Sequence, residues 1–416
     1  MTDEEIKFLL SEENNEVLDA HREIVSLQKD KSSLLVFGKP WLDKNLVAGI
    51  NNKILFFGSR PGGGKTFHCS ETINALLDRE LNPTPVKVCR FNLEMPTRTL
   101  LLQQISRSLN KTPQSILDQP YSEEEKPTVK KIVGAFMDDR IKNISKTLVG
   151  NDFKKFVEAF IKEIDVADDL INQPELAKLL TGDVEMDKKI RADFDYHRTK
   201  KVCLIDHLHI YRNKEEIDTL LLICNELKMK DKNLSFIIYF QLRRDIEDMW
   251  RDTKDKKINP KNMLPNSTFI YQTDVLQQVA DAVVGMVIPQ IYDLEEFASV
   301  YKERNEHLKE HFSSDNADNT TVRLKARNRI YYNFMKIRLL NSFDDPRLFC
   351  DILNPEYEEK LKKEELNKPI PTFTTSIPIF NNQAFTIEKE SPVTPNFDLN
   401  SAFDIAPKED KKDSPF

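Results

Sequence analysis

Glycine is scarce in this chain: ten residues in 416, and four of the ten lie between positions 58 and 64. A sequence this sparing has placed its one residue without a Cβ where backbone must come close to something. Cysteine is also rare, five residues with no C-x-x-C pair. That excludes a disulfide framework and a zinc ribbon, and the five read as reduced thiols in a cytosol-like compartment. No apolar run reaches the roughly 18–20 residues that a membrane span needs. The opening, MTDEEIKFLLSEENNE, is acidic and lacks the basic start of a secretory signal. Positive charge is not in excess either: the formal net charge is −7, with 31% charged residues. A wholly basic coat for nucleic acid is thereby excluded, while a local basic groove stays compatible with the total. The expectation is a soluble, cytoplasmic protein, in a bacterium or, for a phage-encoded chain, in its host.

What is present is an alternation. KILFFG (53–58), PVKVCRFNLE (85–94), KKVCLIDHL (200–208), LSFIIYFQL (234–242) and DAVVGMVIP (281–289) are short apolar runs. Runs of this kind predict strands buried on both faces. Helical stretches separate them, over 66–80, 97–110, 152–164 and 214–230. The order predicts an α/β fold, a mostly parallel sheet with right-handed crossovers and helices on both faces. RIYYNFMKIRLLN (329–341) alternates as an edge strand or a hairpin arm would. Residues 111–199 are charged and mostly helical, and read as an insertion into a main domain spanning 35–365.

The two ends differ from the middle. Residues 1–34 carry an amphipathic pattern (Ile6, Leu9, Leu10, Val17, Leu18), which predicts a helical segment. It either docks on a neighbouring subunit or packs on its own domain. Residues 366–416 hold seven prolines, six isolated phenylalanines and no glycine, the composition of a disordered tail. Its phenylalanines are either docking beads for a partner or part of an inert solubilising tail. The last eight residues, EDKKDSPF, resemble the acidic, phenylalanine-ended tails of bacterial single-stranded-DNA-binding proteins, which would make the tail a docking point for a replication partner.

The chemistry concentrates at GSRPGGGKT, Gly58 to Thr66. A phosphate loop reads G-x-x-x-x-G-K-[ST], and here Ser59 stands where the first glycine belongs. The context fits nonetheless, since the stretch follows an apolar strand and opens a helix. Backbone amides of Gly62, Gly63, Gly64, Lys65 and Thr66 would form an anion nest at the helix N-terminus, entered through Ser59, Arg60 and Pro61. Lys65 would supply charge to the outer phosphates, and the Thr66 hydroxyl would ligate Mg²⁺. Asp206, closing the apolar run VCLID, is the acid expected at the end of a neighbouring strand, holding the Mg²⁺ water shell. Glu94, just past the second strand, lies in the same row of strand ends and could act as general base. The plainer reading of Glu94 is a helix N-terminal carboxylate favoured by the macrodipole.

Taken in order, GSRPGGGKT, NLEMP, CLIDHLHI and FQLRR resemble the RecA-like motor domain of DnaB-type replicative DNA helicases. The resemblance runs from GKPWLDKNLVAG (38–49) to LQQVADAVVGMVI (276–288) and covers roughly 35–345. It implies a RecA-like P-loop NTPase fold, ATP and Mg²⁺ as cofactors, and a homo-hexameric ring with ATP between subunits. It implies translocation on single-stranded DNA and unwinding of duplex during replication. Lys65, Thr66, Asp206 and Glu94 keep the roles just argued. Gln241, at the end of the fourth run, would sense the γ-phosphate. In FMKIRLLNS, Arg338 would be an arginine finger acting in trans, with Lys336 beside it; without the family, Arg338 reads as a surface strand cation. DNA would be met by Arg243 and Arg244 and by a basic loop at 249–273 that includes Lys256, Lys257 and Lys261, through backbone electrostatics, with Tyr271 stacking on a base. The same charges also read as a solvated run.

This chain departs from the family at several points. Where the family has R-E-S-G, this chain has Tyr271, Gln272, Thr273 and Asp274, so the expected arginine and glycine are absent. The family's N-terminal collar domain has no counterpart in the residues ahead of the motor. An alternative reading is a RecA-fold, DNA-dependent ATPase that does not unwind, such as a recombinase mediator or an assembly ATPase.

Overall fold

The structure, a computed structural model, describes residues 34–46, 49–92, 95–109, 111–162, 181–187, 189–190, 199–208, 211, 213–243, 264–265, 274–294, 296–315, 320–337, 348–353 and 358–359. The expectations for residues 1–33, for the loop 249–263 and 266–273, and for the tail lie outside these residues. The chain divides into two compact units: Met1–Met95 with Asp139–Leu366, and Pro96–Asp138 with Asn367–Phe416.

The first unit opens with a short helix, α1 (Pro40–Asn45), then β1 (Ile54–Ser59), helix α2 (Lys65–Leu77) and β2 (Val86–Asn92). Pro40 starts α1 at a position where a missing N–H costs nothing. The second unit contributes α3 (Thr97–Ser108), α4 (Pro113–Asp118) and α5 (Lys126–Phe136). The first unit resumes with β3 (Ile141–Ile144), α6 (Asn151–Lys162), β4 (Lys200–Asp206), α7 (Lys214–Lys230) and β5 (Leu234–Gln241). It continues through α8 (Asp274–Val279), β6 (Ala282–Val287), β7 (Glu296–Tyr301), β8 (Phe312–Asp315), β9 (Thr321–Lys325), β10 (Arg329–Ile337) and β11 (Leu348–Ile352).

Among the described residues, eight strands form one sheet in the order β11-β10-β6-β1-β5-β4-β2-β3. The six strands from β6 to β3 run parallel. β10 pairs antiparallel with both β6 and β11, so it is a hairpin arm with a neighbour on each side. The apolar runs explain the centre: β1 is buried at every position. Successive side chains point to opposite faces of a strand, so one run feeds two cores. Ile54 and Phe56 join Cys89, Phe91, Cys203 and Ile205 under α6 and α7. Leu55 and Phe57 join Val88, Val202, Leu204, Ile237 and Tyr239 under α2. This is the mostly parallel α/β sheet the alternation predicted, and it places the C-terminal ends of β1, β5, β4 and β2 along one edge.

Asn213 caps α7, its side chain accepting from the Glu216 amide at 2.8 Å. Three short strands, β7, β9 and β8, form a separate antiparallel sheet. The second unit has its own small core of Ile105, Ile116, Val129 and Ile132. It starts at Pro96, ahead of the 111 boundary read from charge, and β3 and α6, inside the 111–199 stretch, belong to the first unit.

Candidate functional site

The loop between β1 and α2 is built around its glycines. Gly64 is the N-cap of α2 at φ 89°, a left-handed conformation that costs other residues strain. Gly63 answers to a different constraint. A Cβ there would lie 2.7 Å from the Ser59 Cβ and 2.9 Å from the Arg60 carbonyl oxygen. The loop is thus folded tightly on itself, and the Gly63 amide donates to Arg60 O at 2.9 Å. No side chain caps α2, and its first turn carries no acidic residue. The N-terminal amides of a 13-residue helix therefore face the loop with their partial positive charge.

Lys65, the first residue of that helix, is only 8% exposed. Its ammonium arches back over the loop to Ser59 O (3.4 Å), Ser59 Oγ (3.3 Å) and Arg60 O (3.4 Å). Ser59 Oγ also donates to Arg60 O at 3.0 Å. Arg60 is buried and turned away, its Nη1 donating to Leu242 O at 3.1 Å, so it braces the loop against the end of β5. Thr66 is half-buried at the next position, and Pro61 is exposed at the mouth. Ile291 sits beside Gly62, and Ile288 and Ile330 beside Gly64, giving the loop an apolar flank.

The strand register brings the other candidates to the same edge. Ser59 pairs with Gln241, the last residue of β5. Asp206 ends β4 and pairs with Asn92, the last residue of β2. Asp206 is 1% exposed, with its Oδ2 3.6 Å from Nη2 of the buried Arg90. Beyond β2, Asn92 Nδ2 donates to Met95 O at 2.5 Å. Glu94 lies outside the described residues, as do Arg244, Lys256, Lys257, Lys261, Tyr271 and Arg338. Arg243 is described and exposed. Lys336 lies on β10 with its ammonium on the Gln277 carbonyl of α8.

Two residues at this edge were not singled out from sequence. His207 follows Asp206 directly; its ring hydrogen-bonds Gln241 and lies close enough to Lys65 to feel its charge. Burial first, and Lys65 second, push its pKa down to about 4, so the imidazole is neutral at pH 7. Its signal was in plain view, inside the CLIDHLHI motif. Arg90 is the other: an arginine inside the run VKVCRFN, on a strand buried on both faces, has to have a buried partner. Among the described residues no group of three His, Cys, Asp or Glu side chains is placed to hold a metal. The oxygen pair Thr66 and Asp206 fits a different chemistry, that of Mg²⁺, which takes one or two protein oxygens plus phosphate. No helix among the described residues is long and apolar enough to cross a membrane.

No protein-family model matches the chain, and no curated protein does. Among solved structures, one described as an ATPase domain aligns at 14% identity with a TM-score of 0.49, over 81% of this chain and 93% of its own. Another, described as a DnaB-like replicative helicase and its interactions with primase, aligns at 14% identity with a TM-score of 0.47. That alignment covers 78% of this chain and 61% of the other, so this chain spans less than two thirds of its length.

Proposed function

We propose that this chain is an ATP-dependent motor that acts on single-stranded DNA and unwinds duplex, working as a ring with ATP between subunits. The observation that carries the nucleotide part is Lys65 arched over the Gly62–Gly64 loop, in line with Asp206 and Gln241 at the ends of parallel strands. Amides of the α2 N-terminus would cradle the β- and γ-phosphates, and Lys65 would leave Ser59 and Arg60 to meet the terminal phosphate. Thr66 and Asp206 would hold Mg²⁺, which when bound neutralises charge on the β,γ-bridge. Glu94 would take the proton of the attacking water. Arg338 of a neighbouring subunit would complete the site, with Lys336 beside it. Gln241, held by His207 and lying at the strand end beside the loop, would report whether the γ-phosphate is present.

The DNA part is supported by the order of four motifs in the sequence and by the exposed Arg243 just past Gln241. The basic 249–273 loop would track the phosphate backbone. A forked-duplex assay with ATP and Mg²⁺ tests the reading. Strand separation that stops in Lys65→Ala supports it. ATP turnover without strand separation on any fork leaves a DNA-dependent ATPase and removes the helicase.

A further inference from the structure

Arg90 has no use in the site as drawn so far, yet the fold commits it there. It lies on β2 and is 3% exposed, on the same face as Val86 and Val88, beneath α2. Asp206 projects from the neighbouring strand to that face, with Val202 and Leu204. The two charges are therefore enclosed together between the sheet and the phosphate-loop helix. Cys69 of α2 and Tyr239 of β5 feel both: Arg90 draws each of their pKa values down and Asp206 pushes each up, against a larger upward shift from burial.

The contact is electrostatic more than structural. Arg90 Nη2 is 3.6 Å from Asp206 Oδ2, an ion pair just past hydrogen-bond length. Among the described residues neither Nε nor Nη2 of Arg90 has a hydrogen-bond partner. A guanidinium has five N–H donors, and one buried to hold the fold together normally uses them. Here the charge is present, while two of the three guanidinium nitrogens make no hydrogen bond. A cation so placed does two things. It offsets the charge of a buried carboxylate, and it repels any second cation brought to that carboxylate.

We propose that Arg90 is a resident counter-ion for Asp206 that competes with Mg²⁺ for the carboxylate and so sets the metal concentration at which nucleotide is held. Arg90 is a positioning residue in this account: it acts through Asp206. The inference rests on the nucleotide-site reading above and deepens it.

The test uses the full chain. A fluorescent ADP analogue at fixed concentration is titrated with Mg²⁺ in wild type, Arg90→Met and Arg90→Lys. The half-saturating Mg²⁺ concentration is expected to fall about fivefold or more in Arg90→Met, where the repulsion is gone, a coupling of ordinary size. It is expected to stay within about twofold of wild type in Arg90→Lys, which keeps the charge. A folded Arg90→Met with an unchanged midpoint overturns the proposal, because a purely structural arginine would not move it.

A second measurement covers loss of folding. Chemical denaturation in chelator, without nucleotide, is run on Arg90→Gln, Asp206→Asn and the double variant. The double variant is expected to be no less stable than the worse single, and additive losses would overturn the pairing. A wild type whose nucleotide binding ignores Mg²⁺ sinks the nucleotide-site reading, and the competition with it. The denaturation cycle then still decides whether the two charges are paired.

Discussion

Ser59 and Gly63 occupy one small space, and the fold of the Gly58–Thr66 loop depends on both being small. With Ser59 fully buried and the Gly63 Cα against it, a methyl at 63 meets Ser59 Cβ at 2.7 Å, Ser59 Oγ at 2.8 Å and Arg60 O at 2.9 Å. Gly63→Ala is expected to weaken nucleotide binding by about tenfold or more, read by titration with a fluorescent nucleotide. Adding Ser59→Gly removes two of the three clashes and is expected to recover part of that loss. The departure from the phosphate-loop pattern at Ser59 thus has a physical content: the residue closes the loop from below and accepts a bond from Lys65. The sequence showed that position 59 was small, but not that 59 and 63 touch.

Three histidines set the acid limb of stability. His68, fully buried among Phe57, Tyr239 and Tyr332, shares its Nδ1 with the Tyr239 hydroxyl at 3.0 Å. Burial holds its pKa well below 6.5, with Lys39 adding to the effect. His207 is pushed down to about 4, and His311 is lowered by burial and by Arg329. The fold holds all three toward the neutral form, while the unfolded chain takes up a proton at each near pH 6.5. Their contribution is therefore fully present above pH 6.5 and is lost as pH falls below it, for His207 toward about 4. The melting temperature is expected to drop from pH 7.5 to pH 5. In His68→Leu the slope of stability against pH should be shallower by about one proton over that window. A slope unchanged in the variant would contradict the assignment. Nothing in the sequence around His68 marks it as buried, since the aromatic cage comes from β1, β5 and β10.

At the scale of elements, β10 is fixed at its start by a buried ion pair. Arg329, 3% exposed, meets Glu358 in two bonds, Nη1 to Oε2 at 2.6 Å and Nη2 to Oε1 at 2.5 Å. Asn328 Nδ2 adds a third at 3.2 Å, and Arg329 Nε donates to His311 Nδ1 at 3.1 Å. The Arg329 bonds come first in holding the Glu358 carboxyl down to about 2. Its contribution is present above the ordinary glutamate range and is lost as pH falls from there toward 2. Glu358→Gln leaves the guanidinium without its charge partner and is expected to cost about 3 kcal/mol in urea denaturation. A loss under about 0.5 kcal/mol would place the pair among the exposed, weakly contributing kind.

The elements themselves were legible because parallel central strands are apolar throughout, so KILFFG, VCLID, SFIIYFQ and AVVGMV needed no context. β3 was not: IKNI is half-buried, has only four residues, and is a strand only because β2 is its neighbour. The same holds for the second unit, whose core of four buried aliphatic residues is too small to stand out from the charge around it.

At the scale of the molecule, one edge of the sheet gathers what the motifs had scattered over some 180 positions of sequence: Ser59 to Thr66, Asn92, Asp206 and Gln241. The motif order was readable because each strand end carries its own short signature. Arg90 and His207 were passed over because their roles depend on neighbours across the sheet, and strand pairing does not show in a single run. The net charge of −7 fits a protein whose cations serve at specific places, Lys65 and Arg90 inside and Arg243 at the surface.

The central claim is that this edge turns over ATP and that the turnover answers to DNA. Steady-state phosphate release by the full chain with Mg²⁺, measured with and without single-stranded DNA, tests it most directly. The expected result is turnover that rises at least about fivefold with single-stranded DNA and falls by about a hundredfold or more in Lys65→Ala, a loss of roughly 3 kcal/mol in transition-state stabilisation. Turnover that Lys65→Ala leaves intact would contradict the site, and turnover indifferent to single-stranded DNA would contradict the motor.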